Sequence, residues 1–251
     1  MSYQKHIRIN YFDCDSTNRL KLSTAMQYMQ QTSSEHLEAL NISPQRLLDQ
    51  NMVFLLTKMC IKVHRMPHCT EEVIVETAPI EIRGVRFIRE FAMETTQGKR
   101  LLSALSLWVL VNPSSHKIIR PSSFPYPLPL QTSILGGAIY DLPFPKMLRK
   151  EERLYTNIKI RYSHLDINQH VNNCVYGDFV CDAIPYPQLI AQGLDTVVIH
   201  FQQEARWGES ITINTSVVGD GEFHLLGLHE DGRTCFEAYA GLGEGTVSEY
   251  R

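Results

Sequence analysis

The sequence lacks any apolar run long enough to cross a membrane. Leu101 to Val111 is among its longest apolar stretches, and it falls far short of the ~20 residues that a transmembrane helix requires. The first residues, Met1 to His6, also lack the charged leader and apolar core of a secretory signal. We therefore expect a cytoplasmic protein that does not insert into a membrane.

The sequence also lacks an excess of charge of one sign. Its 24 Lys and Arg residues stand against 27 Asp and Glu residues, so it has no electrostatic footprint for nucleic acid. Only six of the 251 residues are cysteines, and 43% of the chain is hydrophobic. Because a chain of this composition builds a core without a disulfide framework, we expect all six thiols to be reduced.

Motifs for metal binding and for a serine nucleophile are missing as well. The chain has no Cys-x-x-Cys pair and no Gly-x-Ser-x-Gly elbow. Cys60 and His64 share one face of a predicted strand, but the consecutive residues His68 and Cys69 point apart. We therefore expect neither a metal nor an organic cofactor.

The first half of the chain predicts one long helix followed by an antiparallel meander. Leu22 to Leu40 has apolar residues at nearly helical spacing, and Ser43-Pro44 marks the start of a short second helix. The β-branched and aromatic runs that follow are separated by Pro, Gly or charged turns. They predict four strands, at Val53 to Val63, Val73 to Ile82, Arg86 to Glu94 and Leu101 to Val111.

The second half repeats this plan. Tyr162-Ser163-His164-Leu165-Asp166 matches Tyr11-Phe12-Asp13-Cys14-Asp15 at one offset, because 162 minus 11 and 166 minus 15 both give 151. A helix is predicted from Asn173 to Ile184. The four strands predicted after it are Thr196 to Gln203, Ser210 to Val218, Glu222 to Leu228 and Arg233 to Leu242. The fold class is α+β, duplicated, and we expect the two units to pair.

Proline-rich sequence separates the two halves. The prolines of Phe124 to Pro129 and of Leu142 to Pro145 cannot donate to a central sheet ladder, so this region is predicted to connect two domains. We predict an N-terminal domain at 1–121, a linker at 122–150 and a C-terminal domain at 151–251.

The densest cluster of reactive side chains runs from Asp166 to Asn173. Alternation along an extended segment would place the carboxylate of Asp166, the amide of Asn168 and the imidazole of His170 on one side. The unpaired N–H groups at the start of the following helix suit an oxygen that develops negative charge. The alternative is that the Asp and Asn residues only cap the helix and form an Asx turn.

Comparison of the two copies favours a specialised site in the second. At the offset of 151, Thr17 stands opposite Asn168 and Arg19 stands opposite His170. The amide and the imidazole therefore occur in one copy only, whereas a shared structural need would require them in both.

A second carboxylate, Glu204, follows the first strand after the helix. Alignment of Val73-Ile74-Val75 with Ile211-Thr212-Ile213 places Met66 opposite Glu204, so this acid too is present in the second copy only. The alternative is an ordinary rim charge paired with Arg206.

The segment Leu165-Asp166-Ile167-Asn168-Gln169-His170-Val171-Asn172-Asn173, followed by Gln203-Glu204, resembles the acyl-acyl carrier protein thioesterases of bacteria and plant plastids. Asp13 to Asn18 and Trp108-Val109 also fit that family, so the resemblance covers essentially the whole chain. It implies a double hotdog fold, in which each of two tandem repeats has a long central helix wrapped by an antiparallel β-sheet.

The resemblance implies hydrolysis of the thioester that joins a fatty acyl chain to the phosphopantetheine arm of acyl carrier protein. The implied catalytic set is Asp166, Asn168, His170 and Glu204. Plant members commonly have a cysteine directly after the glutamate, whereas this chain has Ala205. An acyl-cysteine route through that position is therefore excluded.

Thioester hydrolysis needs a base for water, donors for the thioester oxygen and a proton for the departing thiolate. We expect Glu204 with His170 to activate water, Asn168 to orient it and Asp166 to fix Asn168. Which of the two carboxylates and the imidazole acts as the base stays open at this point.

Two further groups of residues are expected to contact the substrate. The backbone N–H groups of Val171 and Asn172 are predicted to bind the thioester oxygen. The resemblance places the acyl chain in the first half, and the candidates for its tunnel are four apolar side chains, which otherwise belong to the core: Met26, Met29, Phe87 and Trp108.

The expected partner is acyl carrier protein, which is acidic. Two basic clusters are candidates for its docking surface, and solvated surface charge is the alternative for both. One consists of Arg83, Arg86 and Arg89, and the other of Lys146, Arg149, Lys150 and Arg153.

Three other functions stay open: an acyl-coenzyme A hydrolase, a 3-hydroxyacyl thioester dehydratase and a non-catalytic acyl-binding protein. The acyl length and the oligomeric state, including a homodimer, are open as well.

Overall fold

The computed structural model describes residues 2–136 and 153–243. These residues form two compact units: residues 2–20 and 24–136 belong to the first unit, and residues 21–23 and 153–243 belong to the second. Within the described ranges, no helix is both long and apolar enough to cross a membrane.

The first unit is an antiparallel sheet accompanied by one long helix. The helices are α1 (Leu22–Ala39) and α2 (Pro44–Asp49), and the strands are β1 (Tyr3–Arg8), β2 (Val53–Val63), β3 (Glu72–Arg83), β4 (Arg86–Thr95) and β5 (Arg100–Val111). The strands lie in the order β1-β3-β4-β5-β2, and every pairing is antiparallel.

The boundaries in this half follow from local chemistry. The side chain of Ser43 accepts a hydrogen bond from the backbone N–H of Arg46, and Pro44 occupies the first turn of α2, where its missing N–H has no cost. Each strand of the meander lies within one residue of its predicted bounds because each alternating run is delimited by turn residues.

The second unit repeats the strand order of the first. Its strands are β6 (Arg153–Lys159), β7 (Leu194–Phe201), β8 (Ser210–Gly219), β9 (Glu222–His229) and β10 (Thr234–Leu242). They lie in the order β6-β8-β9-β10-β7, again with every pairing antiparallel. The duplication that the offset of 151 predicts is therefore present in the topology.

The helix of the second unit is shorter than expected. Helix α3 (Val175–Asp182) has 8 residues, whereas α1 has 18. After Pro185, the chain forms a separate short helix, α4 (Tyr186–Gln192), with Pro187 in its first turn. The predicted helix thus ends before Pro185, and α4 is an additional helix, because proline is tolerated in a first turn but not in a helix interior.

The core of each unit includes apolar side chains of its main helix. Met26 and Met29 of α1 are fully buried. Tyr176 and Phe179 of α3 are also buried, and the ring of Tyr176 lies 5.4 Å from that of Phe201 and 5.2 Å from that of Phe236. Helix α3 therefore packs on strands β7 and β10.

The described part of the predicted linker, residues 122–136, contains no strand. It contacts strand β4 through Glu90, whose carboxylate accepts hydrogen bonds from the Ser133 hydroxyl and from the backbone N–H groups of Ile134 and Leu135. Residues 137–150 of the predicted linker lie outside the described residues.

Candidate active site

The segment with the densest reactive side chains forms a tight turn instead of an extended strand. An antiparallel bridge joins Leu165 to Val171, and the backbone N–H of Asp166 donates to the carbonyl of His170 at 2.9 Å. Gln169 has a φ of 64°, which reverses the chain. The expectation that simple strand alternation places Asp166, Asn168 and His170 on one side is therefore wrong.

Asp166 and Asn168 contact each other within this turn. One oxygen of the Asp166 carboxylate accepts the backbone N–H of Asn168 at 2.8 Å, which is an Asx turn. The other oxygen lies 3.4 Å from the Asn168 side-chain nitrogen. The carboxylate thus orients both the backbone and the amide of Asn168.

His170 and Glu204 form the second contact of the site. His170 Nε2 lies 3.1 Å from Glu204 Oε2, and the two side chains are 23% and 45% exposed. A β-bridge between His170 and Arg206 brings the two loops together, and Arg206 Nη2 lies 4.0 Å from the same carboxylate oxygen. An imidazole, a carboxylate and a guanidinium therefore converge where water has access.

The first unit has the same backbone arrangement without these reactive groups. There a bridge joins Arg19 to His68, just as a bridge joins His170 to Arg206. The bridged residues agree with the sequence alignment. Arg19 and His170 differ by 151 positions, which is the offset of the first alignment. His68 and Arg206 differ by 138 positions, which is also the offset between Met66 and Glu204. The first unit therefore places Arg19 and a buried Met66 where the second places the imidazole and the carboxylate.

The two backbone donors predicted for the thioester oxygen are already occupied. The N–H of Val171 donates to the carbonyl of Ala205 at 2.8 Å, and the N–H of Asn172 donates to the carbonyl of His164 at 2.9 Å. Since each N–H carries a single proton, neither is open to a substrate in this structure. The assignment of these groups is corrected: they join the loops of the site to each other.

Asn172 has the structural role expected of an Asn that precedes a helix. Its side-chain oxygen accepts the backbone N–H of Cys174 at 2.9 Å, which is an Asx turn, and its carbonyl accepts the N–H of Val175 at 2.9 Å at the start of α3. Among residues 171–175 of the described chain, the N–H of Asn173 is the one that makes no hydrogen bond.

The structure pairs two of the four predicted acyl-chain residues. Phe87 and Trp108 are cross-strand partners on β4 and β5, and the Phe87 ring lies 5.0 Å from that of Phe54 in an edge-to-face contact. The Trp108 indole N–H donates to the Ser106 hydroxyl at 2.7 Å. Met26 and Met29 are fully buried on α1.

One of the two basic clusters is only partly exposed, because Arg83 and Arg86 lie on the surface and Arg89 does not. Arg89 is only 6% exposed, its guanidinium donates to the Thr77 hydroxyl, and burial lowers its pKa to about 10. Arg83 forms an ion pair with Glu81 at 2.6 Å. Arg89 is therefore excluded as a docking residue. Lys146, Arg149, Lys150 and the side chain of Arg153 lie outside the described residues.

The described part of the chain contains no group of three or more His, Cys, Asp or Glu side chains that could hold a metal ion.

Sequence models of a single family match both halves of the chain. The model of the acyl-ACP thioesterase N-terminal domain matches residues 1–122, and that of the acyl-ACP thioesterase C-terminal domain matches residues 147–237.

Two curated plant proteins are similar to the chain over most of its length. An acyl-[acyl-carrier-protein] hydrolase, FATB2, of Cuphea viscosissima is 23% identical, and the match covers 92% of this chain and 60% of that protein. A palmitoyl-acyl carrier protein thioesterase of Arabidopsis thaliana is 20% identical, with 86% of this chain and 55% of that protein covered. Both are chloroplastic, and the chain spans less than two thirds of their length.

Two solved structures share the fold over nearly the whole chain. A putative oleoyl thioesterase from Lactobacillus plantarum superposes with a TM-score of 0.84 at 24% identity, covering 99% of this chain and 98% of that one. A 12:0-ACP thioesterase from Umbellularia californica gives a TM-score of 0.80 at 16% identity, with 96% of each chain covered. The predicted α+β hotdog fold is confirmed by these likenesses and by the antiparallel strand pairings within each unit.

Proposed function

The chain belongs to the acyl-ACP thioesterase family, and on that basis we propose that it hydrolyses fatty acyl-acyl carrier protein, releasing free fatty acid and holo-carrier protein. The observation that carries the proposal is the 3.1 Å contact between His170 Nε2 and Glu204 Oε2. An imidazole and a carboxylate in contact can accept a proton from water and return one to a leaving group.

Water is the attacking nucleophile in this mechanism. Two cysteines lie near the site. Cys174 follows His170 closely along the chain, and Cys235 donates a hydrogen bond to the carbonyl of Gln203. Each of these cysteines is 1% exposed. Burial raises their pKa values to about 12 and about 11, so neither forms a thiolate near neutral pH. Ala205 occupies the position after the glutamate and offers no nucleophile.

The steps follow from the protonation chemistry of a thioester. Water attacks the carbonyl carbon while its proton passes to the Glu204–His170 pair, and the carbonyl π electrons move onto the oxygen. The tetrahedral intermediate then collapses, the carbon–sulfur bond breaks, and the thiolate takes the proton back from the pair. Asn168, held by Asp166, orients the water, and the N–H of Asn173 is the remaining backbone donor for the oxyanion in this segment.

A ladder of acyl chain lengths presented on acyl carrier protein and on coenzyme A tests this proposal. Free fatty acid is quantified by mass spectrometry, and released thiol is measured in parallel. We expect stoichiometric fatty acid and thiol, with a kcat/KM at least tenfold higher for the carrier protein. Equal or faster hydrolysis of the coenzyme A series would instead assign the protein to acyl-coenzyme A.

Two other outcomes would contradict the proposal outright. Loss of water from a 3-hydroxyacyl thioester without thiol release would indicate a dehydratase. Ligand binding without any thiol release would indicate a non-catalytic acyl-binding protein.

We further propose that the reaction ends fatty acid synthesis by removing the finished chain, and that it takes place in the cytoplasm. The two curated relatives described above are chloroplastic, so imaging of the full chain in its own cell is the deciding measurement.

A further inference from the structure

Glu204 lies on an exposed loop, yet the backbone directly before it is held by a buried residue. Resting on the function proposed above, we propose that Tyr176 and Cys235 are positioning residues: a chain of hydrogen bonds through them fixes the backbone around Glu204 so that its carboxylate meets His170.

Cys235 holds the residues that precede Glu204. Its thiol donates to the carbonyl of Gln203 at 3.3 Å. Its own carbonyl accepts the backbone N–H groups of Gln202 and Gln203, both at 3.0 Å. Strand β10 therefore contributes three hydrogen bonds from one residue to the end of β7, directly before the catalytic carboxylate.

Tyr176 holds the thiol of Cys235. Its hydroxyl lies 3.3 Å from the Cys235 sulfur. Because the Cys235 proton goes to the Gln203 carbonyl, the tyrosine hydroxyl is the donor toward the sulfur. The chain of hydrogen bonds runs from the tyrosine through the thiol to the Gln203 carbonyl, directly before Glu204.

The members of this chain of hydrogen bonds lie in the interior. Tyr176 is 3% exposed and Cys235 is 1% exposed. The Tyr176 ring makes edge-to-face contacts with the rings of Phe179, Phe201 and Phe236 at 5.2 to 5.5 Å. Close packing on several sides restricts the movement of the ring and of its hydroxyl.

Both groups keep their protons at neutral pH. Burial raises the pKa of Cys235 to about 11 and raises the pKa of Tyr176 well above its usual value. Each can therefore serve as a hydrogen-bond donor throughout the range in which a thioester hydrolase operates. Neither is exposed to substrate, which is why they are positioning residues and not catalytic ones.

The same helix position in the first unit lacks the hydroxyl. The bridges Cys14–Leu20 and Leu165–Val171 keep the offset of 151 up to the start of the helix, and that offset places Ala25 opposite Tyr176. Ala25 is fully buried, so packing alone is satisfied there by a small side chain. The tyrosine occurs in the unit that carries the glutamate and the imidazole.

Tyr176→Phe is the first test, because it removes the hydroxyl and keeps the ring. We expect kcat on an acyl-carrier substrate to fall roughly 10- to 100-fold with KM within twofold, since a small displacement of a catalytic group costs rate rather than binding. Cys235→Ala should give a similar loss, and the double variant should be no worse than either single variant because both interrupt one chain. Cys235→Ser, which keeps a donor, should recover part of the rate.

Tyr239→Phe is the matched control. Tyr239 lies on β10 of the same unit, and its hydroxyl interacts with Glu222, outside this chain of hydrogen bonds. It should lose no activity. If Tyr176→Phe and Cys235→Ala lower the melting temperature more than the control does but leave kcat unchanged, the two residues are merely structural and the proposal is overturned.

Amide hydrogen exchange tests the positioning without any substrate. The Gln203 amide, which donates to the Cys235 carbonyl, should exchange faster in Tyr176→Phe than in the unmodified protein, while the Val198 amide in the centre of β7 should not change. Unchanged exchange at Gln203 would overturn the inference even if the enzyme is active. Faster exchange in a protein that hydrolyses no thioester would support the positioning role while refuting the proposed function.

Discussion

At the scale of single residues, the two copies separate structural roles from chemical ones. Asp15 and Asp166 both accept the N–H of the residue two positions later, at 2.7 and 2.8 Å, so the Asx turn is common to both units. The groups that can move protons, His170 and Glu204, have no counterparts in the first unit. A purely structural role for this segment therefore explains Asp166 in part. It does not explain His170 or Glu204.

Glu204→Gln should lower kcat about 10²-fold or more, because it keeps the shape of the side chain and removes the base. His170→Ala should have an effect of the same order. The measurement is steady-state hydrolysis of an acyl-carrier substrate by folded protein, with Glu230→Gln on an exposed turn as the matched control. Turnover near that of the unmodified protein in either site variant would remove the pair from the mechanism.

At the scale of elements, helices α1 and α3 hold equivalent places but bury different side chains. The long α1 contributes the unbranched Met26 and Met29, whereas the short α3 contributes the rings of Tyr176 and Phe179. Methionine adapts to irregular apolar ligands, and packed aromatic rings fix one arrangement. This contrast agrees with acyl binding by the first unit and with catalysis by the second.

Met29→Trp should shift the products toward shorter fatty acids, since the larger indole would fill part of the volume that the acyl chain needs. The measurement is the distribution of fatty acids released from an equimolar mixture of acyl-carrier substrates. Ser34→Trp, at an exposed position of the same helix, is the control. A folded Met29 variant with an unchanged distribution would argue against an acyl pocket at this helix.

At the scale of the whole molecule, several thiols and one phenol have raised pKa values. The pKa values of Cys14, Cys174 and Cys235 are raised to about 11, 12 and 11, and that of Tyr239 to about 12, with burial as the largest cause in each case. The folded chain therefore holds these protons more tightly than the unfolded chain does.

The free energy of unfolding should fall as pH rises above 9. The unfolded thiols ionise near pH 9.0 and the folded ones only near 11 or 12, so unfolding releases protons in this range. The stabilisation is complete below pH 9 and is lost progressively up to the folded pKa values. Urea unfolding at pH 8, 9.5 and 10.5 measures this free energy. Cys174→Ala should make the free energy of unfolding fall less steeply with pH. Constant or rising stability from pH 9 to 10.5 would contradict this assignment.

The amino-acid sequence determined the features that depend on local pattern and on residue identity. Alternating runs and their turn residues specify the strands, helical spacing specifies α1, and the offset of 151 specifies the duplication. The candidate residues Asp166, Asn168, His170 and Glu204 could be named because reactive side chains are recognised by type, and the last three also by their absence from the other copy.

Only the tertiary structure decided which polar groups are already engaged. The N–H groups of Val171 and Asn172 are occupied, Arg89 is buried, and Tyr176 meets Cys235 from 59 residues away. A hydrogen bond depends on strand register and helix placement to within a few tenths of an ångström, and no local sequence pattern encodes that distance.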